Sequence, residues 1–221
     1  MPLAVQSFVV SPFAENTYVL SSQGEAAVVD PGTASRAERK AVEDYLEVAG
    51  LRVRHLLLTH AHIDHVFGCH HFAERFRDAE HGGWQLHPAD EPLLEHAVVQ
   101  GEMFGLRVDP PPAAAHALAH ADRIALGDAV LEVRHVPGHS PGSVAFYSEA
   151  DGFVVGGDVL FQGSIGRTDL WEGSLEVLLA SIRREILTLP DETVVYSGHG
   201  PTTTVGAERR ANPFLQPGFS G

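Results

Sequence analysis

Apolar residues fall in short blocks along the first part of the chain. Val5 to Val10, Thr17 to Leu20 and Ala26 to Val29 are separated by turn-forming residues and predict three short strands, the opening of a meander. Ser35 followed by Glu38 has the spacing of a capping box. Ala37, Ala41, Tyr45 and Ala49 then recur at helical spacing until Gly50 stops the run. A strand from Val53 leads into Leu56-Leu57-Leu58. Further on, Val130 to Val136, Gly152 to Gly157 and Val194 to Tyr196 read as strands. Ser174 caps a predicted helix whose Leu175, Leu178, Leu179, Ile182 and Ile186 make one apolar face before Pro190. His87 to Ala119, with Pro110-Pro111-Pro112, follows neither period and reads either as a cover over a site's approach or as a surface excursion.

A length of 221 residues with 44% hydrophobic side chains gives ample core for one domain over 1–221, and no internal linker interrupts it. The formal charge of -14 would repel phosphate backbones, which argues against nucleic acid as a partner. One cysteine cannot form an internal disulfide. The segment Met1 to Val10 lacks a basic start and long apolar core, and no apolar run approaches the roughly twenty residues that span a bilayer. A cytoplasmic enzyme with no membrane partner is the expectation; the oligomeric state stays open.

Chemistry concentrates directly after Leu58. His60, His62, Asp64 and His65 occupy six positions of a predicted tight loop, where four metal-binding side chains can converge on one or two cations. Imidazole and carboxylate together suit zinc, iron or manganese. Such an order arises by chance on the order of once in several hundred chains this rich in histidine, so further ligands are needed from elsewhere. Three other strand-like runs supply them: Val130 to Val136 is followed by His139, Gly152 to Gly157 ends at Asp158, and Val194 to Tyr196 is followed by His199. Each lies beside glycine, which permits the sharp turns that aim side chains at a common point.

These segments, with Asp30 in Val28-Val29-Asp30-Pro31-Gly32, resemble in order the five motifs of the metallo-β-lactamase-fold hydrolases. The runs Phe161 to Asp169 and His199 to Phe214 are similar to the short bacterial hydroxyacylglutathione hydrolases, the glyoxalase II-like branch. The resemblance spans nearly the whole chain and implies an α/β fold, the four-layer αβ/βα sandwich, with a dinuclear site at one edge. It implies that His60, His62 and His139 hold one divalent metal and Asp64, His65 and His199 the other, with Asp158 bridging. Zinc comes first, with iron or manganese as alternatives. Two dications about 3.5 to 4 Å apart need an anion between them, and a metal-bound water is acidified enough to act as a hydroxide nucleophile near neutral pH. Asp64 is then both ligand and catalytic orienter of that hydroxide. A thiolate leaves readily, so a small acyl thioester of the hydroxyacylglutathione kind is the expected substrate.

Departures from relatives narrow the choice. Class B β-lactamases commonly place cysteine where this chain has Asp158, and Cys69 lies elsewhere, which argues against an antibiotic hydrolase and for a packed thiol at the start of a helix. Nucleases of the family usually carry a large inserted domain, for which there is no room. The competing reading is a mononuclear-iron persulfide dioxygenase on the same fold, which shares Gly166-Arg167-Thr168-Asp169 and would use His60, His139 and Asp158 as a facial triad. Arg167 and Asp169 are candidates for orienting ligands or holding an anionic substrate tail, with a plain ion pair as the alternative. Leu170, Trp171, Phe161, Met103 and Phe104 could line a pocket, or simply pack. The nine histidines outside the ligand set, His135 included, read as surface or hydrogen-bonded residues. Glutathione recognition is in question, because the chain ends about twenty residues after His199 and lacks the C-terminal helical domain of longer glyoxalase II enzymes.

Overall fold

In the computed structural model, which describes residues 2–219, two sheets lie face to face with helices on their outer sides. The first sheet runs in chain order through β1 (Ala4–Val10), β2 (Glu15–Ser22), β3 (Glu25–Val29), β4 (Arg52–Leu57), β5 (Trp84–Leu86) and β6 (His116–Ala117). Its first three strands form the antiparallel meander, and from β3 onward the pairing is parallel. Parallel neighbours need crossovers. These are α1 (Arg36–Val48), then α2 (Ile63–Val66) with α3 (Cys69–Arg75), then α4 (Glu91–Glu95) with α5 (Ala97–Met103).

The second sheet has β7 (Arg123–Leu126), β8 (Ala129–His135), β9 (Val144–Ser148) and β10 (Phe153–Gly157) as an antiparallel meander. A hairpin of β11 (Leu160–Phe161) and β12 (Ser164–Ile165) and the helix α6 (Leu175–Ser181) follow. The chain then returns as β13 (Val194–Ser197), parallel to β10, with β14 (Thr203–Thr204) at the edge and α7 (Val205–Ala211) after it.

Alternation along the strands divides the apolar residues among three cores. Val28 and Leu56 point into the core beneath the first sheet's helices, while Val29 and Leu57 point between the sheets. Likewise Val154 packs under α6, and Phe153 and Val155 face the first sheet. Strands buried on both faces read as continuous apolar runs, which is why Val28-Val29 and Leu56-Leu57-Leu58 were visible as blocks without alternation. The four layers are those of an αβ/βα sandwich.

The caps formed where the sequence placed them. Ser35 and Glu38 make a reciprocal capping box, and Ser174 accepts from the backbone of Val177. Leu178, Leu179, Ile182 and Ile186 are buried beneath the second sheet, the last two at the ends of a one-residue widening of the helix over Ile182–Ile186. In α1 the expected apolar stripe needs correction: Ala37, Ala41 and Ala49 are exposed, and the buried residues are Val42 and Leu46, with Tyr45 partly covered. Alanine buries too little surface to decide a helix's orientation against valine and leucine.

His87 to Ala119 is more ordered than its sequence indicates. A turn at Pro88–Asp90, α4, α5 and β6 lie within it, and Leu93, Leu94 and Ala97 belong to the first core. Helices of five and seven residues are too short to establish a 3.6-residue period.

Candidate metal centre

Every candidate ligand leaves the C-terminal end of a strand at one edge of the sandwich. Thr59-His60-Ala61-His62 follows β4, His139 follows β8, Asp158 follows β10 and His199 follows β13. Asp64 and His65 sit on the short helix α2, so the expected tight loop ends at His62 and gives way to a helical turn. Beside Asp158, Gly157 has φ 50, and a Cβ there would meet Thr59 Oγ1 at 2.3 Å, so only glycine fits the turn that aims Asp158 inward.

Hydrogen bonds on the far sides of the rings fix which nitrogens face inward. His139 donates from Nδ1 to the carbonyl of Arg167 at 2.8 Å, leaving Nε2 as a bare lone pair. Thr59 donates its hydroxyl proton to Asp30 Oδ2 at 2.5 Å, so His60 Nδ1 donates to Thr59 Oγ1 at 3.0 Å and also presents a bare Nε2. These two lone pairs face each other at 3.2 Å, and His62 Nδ1 lies 2.8 Å from His139 Nε2. The bare lone pairs of His60 and His139 repel at this distance, and a cation held by the three rings would relieve that repulsion.

A second half-site lies alongside. His65 directs Nδ1 at Asp30 Oδ2, 3.1 Å away, and Nε2 at Asp158 Oδ1, 3.3 Å away. His199 donates from Nδ1 to the carbonyl of Phe13 and turns Nε2 toward Asp64 Oδ2 at 3.1 Å. Asp158 reaches both halves, with Oδ2 at 3.5 Å from His199 Nε2 and 3.7 Å from His139 Nε2. His62 Nε2, His65 Nε2 and Asp158 Oδ1 are buried without a hydrogen-bond partner. Such atoms are costly in a finished interior; His65 Nε2 and Asp158 Oδ1 face each other and fit a site built for cations, whereas His62 Nε2 lies on the far side of its ring from His139. His60, His62 and His139 form one group that could hold a metal ion, and Asp64, His65 and His199 another.

A third grouping, Asp30 with His60 and His65, has a different character. Asp30 accepts from the backbone and hydroxyl of Thr59 and from the outward nitrogen of His65, so both its oxygens are engaged on the outer side of the rings. It orients ligands.

Protonation follows the same division. Burial, then the neighbouring rings, hold His60 well below the usual imidazole range, and burial with His139 brings His62 down to about 3. Both are neutral, as ligands must be. Burial also pulls on His65 and His199, yet both are raised, His65 by Asp158 and Asp64 and His199 by its bond to Asp64 and by Asp158. Against the cost of burial, His65 keeps Asp64 and Asp158 ionised, with help from His199 at Asp64 and from His139 and His199 at Asp158. Protons on His65 and His199 stand in for positive charge that the carboxylates demand.

Arg167 touches the site through its backbone. Its side chain forms a bidentate pair with Asp169, at 2.8 and 2.7 Å, that faces solvent and draws Asp169 down to about 2. The Phe161 ring lies 6.2 Å from the His199 ring. Phe104 packs edge-on against Phe13 at 5.2 Å, next to the carbonyl that receives His199, while Met103, Leu170 and Trp171 are exposed. His87 to Ala119 therefore contributes to the rim as well as to the core. His135 stacks on His87 at 4.1 Å and bonds the carbonyl of Pro141, apart from the ligand set; Cys69 is buried, and burial raises its thiol.

Three buried residues beside the candidate ligands lie outside the sequence motifs. Glu15 lies behind His65, 3.7 Å from Nδ1, with its carboxyl raised by burial. Asn16 bonds the loop carrying His199, and Asp90 bonds the loops carrying His60 and His139. The only available signal was a polar run, Glu15-Asn16-Thr17, opening a strand whose every residue is buried.

This fold and candidate ligand cluster are those of a metallo-hydrolase, a metal-dependent hydrolytic enzyme. The chain belongs to the metallo-beta-lactamase superfamily, which matches residues 10–199. It is 40% identical over 213 residues to the probable metallo-hydrolase YqgX of Bacillus subtilis (strain 168), covering 96% of each chain. It is 36% identical to the hydroxyacylglutathione hydrolase GloC of Haemophilus influenzae (strain ATCC 51907 / DSM 11121 / KW20 / Rd), over 93% of this chain and 95% of that one. Among solved structures, BLEG-1 B3 metallo-beta-lactamase superposes with a TM-score of 0.86 at 38% identity, covering 96% of this chain and 99% of that one. TTHA1623 in a di-iron-bound form gives 0.85 at 39% identity, covering 96% and 100%. No helix among the described residues is long and apolar enough to cross a membrane.

Proposed function

We propose that the protein hydrolyses a small acyl thioester, of the hydroxyacylglutathione kind, at a site holding two divalent metal ions. The observation that carries this reading is the facing of bare ring nitrogens and carboxylate oxygens in two adjoining groups bridged by Asp158. Similarity to GloC supports the thioester, and the di-iron form of TTHA1623 supports two ions; zinc is the first choice here, with iron or manganese as alternatives. The enzyme is read as cytoplasmic, with a small-molecule substrate and neither nucleic acid nor membrane as partner.

His60, His62 and His139 would hold one ion, and Asp64, His65 and His199 the other, with Asp158 between them. Bound there, the ions supply Lewis acidity and lower the pKa of water toward neutrality. Asp64, with Oδ2 on His199, has its remaining oxygen free to accept a proton from water and hold that water in line with the acyl carbon. Addition of the water oxygen to that carbon gives a tetrahedral adduct, whose collapse breaks the C–S bond. The pair of electrons leaves with sulfur as thiolate, which takes up the proton held on Asp64, giving a carboxylic acid and a thiol.

Metal analysis of protein prepared with and without oxygen, paired with thioester cleavage, β-lactam cleavage and oxygen uptake with glutathione persulfide, tests the reading. Two ions per chain with thioesterase activity lost on Asp64→Ala are expected. The likeness to BLEG-1 makes the β-lactam a necessary arm. One iron per chain with oxygen uptake and no thioesterase activity would transfer the assignment to His60, His139 and Asp158 as a persulfide dioxygenase.

A further inference from the structure

Each half-site draws ligands from both sheets, so the apolar core between the sheets cannot alone fix the ligand spacing. His60 and His62 come from the first sheet and His139 from the second; Asp64 and His65 come from the first and His199 from the second. We infer that two separate buried polar clamps, Asp90 and Asn16, tie the sheets together at the site, and that each positions one half-site. This rests on the two-ion reading above.

Asp90 ends the turn Pro88–Asp90 and is fully buried. One oxygen, Oδ2, accepts from the backbone N–H of Ala61 at 3.0 Å and from Ser140 Oγ at 2.7 Å. The other, Oδ1, accepts from the Gly142 N–H at 2.6 Å. Ala61 lies between His60 and His62, and Ser140 follows His139, so one carboxylate joins the two loops that must converge on the first ion. The slot is fitted: a Cβ on Gly142 would come within 2.7 Å of Asp90 Oδ1.

Asn16 performs the corresponding task on the other half. Its backbone N–H donates to Gly198 at 2.7 Å, and its side-chain amide donates to Ser197 and Gly200, both at 2.9 Å. The carbonyls of Ser197, Gly198 and Gly200, which surround His199, are all held by one residue of the first sheet. Tyr18 adds a bond from its hydroxyl to the Ser197 carbonyl at 2.6 Å. Neither Asp90 nor Asn16 is paired with a ligand side chain; they act through the backbone that carries the ligands. Residues that orient ligands from outside the coordination sphere typically change metal affinity by about 10- to 100-fold when altered.

Zinc titrated into metal-free full-length protein tests the clamps, with uptake read as stoichiometry and as two affinities. Wild type should take up two ions. Asn16→Ala should keep one at wild-type affinity and weaken the other by about tenfold or more, and adding it to His199→Ala should cause little further loss. Asp90→Ala should weaken the ion that His139→Ala removes and spare the other. Asp90→Asn keeps one oxygen for Ala61 and Ser140 while losing the Gly142 bond, so it should fall between wild type and alanine, and it serves if the alanine variant does not fold. Variants that lose both ions in parallel, or bind both as wild type does, overturn the proposal. A wild type that takes up a single ion overturns the two-ion reading instead. The clamps then stand only if Asp90→Ala weakens an ion removed by His139→Ala while Asn16→Ala leaves it unchanged.

Discussion

The carbonyl of Arg167 accepts the Nδ1 proton of His139 at 2.8 Å, so this residue orients the His139 ring with its backbone while its guanidinium faces outward to Asp169. The two roles are separable by substitution. Arg167→Ala removes the guanidinium and keeps the carbonyl, so metal uptake should match wild type, whereas His139→Ala should lose an ion. With its partner gone, Asp169 should titrate near the ordinary carboxylate range instead of about 2. Metal analysis and NMR titration of the carboxyl group check both; a loss of metal in Arg167→Ala would mean that the side chain holds the loop in place.

The run His199 to Phe214, which the sequence offered as a family likeness, has a physical role in the fold. Glu208 on α7 is buried and accepts from the Gly163 N–H at 2.8 Å, Thr203 Oγ1 at 2.6 Å and Asn212 Nδ2 at 2.8 Å, while Asn212 also donates to the Ser164 carbonyl at 2.9 Å. The tail thereby pins the β11–β12 hairpin that precedes Arg167. Glu208→Ala strands three donors, each costing about 1 to 3 kcal/mol if it finds no water. A loss of about 2 to 4 kcal/mol in denaturant unfolding is expected. A change below about 0.5 kcal/mol, the range of ordinary surface substitutions, would show that the contact is solvated and contributes little.

Much of the candidate cluster was legible because metal-binding chemistry needs rare residues at fixed places. His60, His62, Asp64 and His65 cannot be spread apart by any fold, and His139, Asp158 and His199 each follow a run apolar enough to be read as a strand. What the sequence could not display is pairing across the two sheets. Asp90 lies in a segment with no clear period, and Glu15 and Asn16 occupy a strand where polar side chains ordinarily mark a solvent face. Their burial depends on the second sheet's loops being brought over them. The face of α1 differs from its alanine pattern for a related reason: alanine spacing is compatible with a helix but says little about which side meets the core.

Acid should weaken the metal-free protein through His62. Burial and His139 lower its pKa from 6.5 to about 3, so between those values the unfolded chain takes up a proton that the folded chain refuses. Its contribution to stability is therefore complete above about pH 6.5 and is lost as pH falls toward 3, with a slope of up to about 1.4 kcal/mol per unit. His60 acts in the same direction. His65 and His199, whose pKa values are raised, act oppositely: they favour the folded form at low pH and lose that effect as pH rises through their folded values. Denaturant unfolding of metal-free protein across pH 4 to 6.5 should show a steeper acid loss for wild type than for His62→Gln. Equal slopes would contradict a neutral His62 in the folded state.

Gly198 tests whether the site tolerates any added volume. A Cβ at this position would lie 2.1 Å from Asp158 Oδ1 and 2.7 Å from His65 Cε1, between the carboxylate proposed to bridge the ions and the His65 ring, and 3.2 Å from the Gly157 carbonyl carbon. Neither side chain can retreat freely, since His65 is held by Asp30 and Asp158 leaves a glycine turn built for its present direction. Overpacking of a filled interior costs about 1 to 3 kcal/mol, which is within reach of a domain's stability and leaves the fold formed. Gly198→Ala should therefore remain folded by circular dichroism while its zinc stoichiometry falls below that of wild type. Asp158 serves both halves, so this loss should extend to both ions, unlike that of Asn16→Ala. An alanine variant with full metal content would mean that Asp158 and His65 move apart easily, and that the close approach of the backbone at Gly198 places no constraint on the bridge.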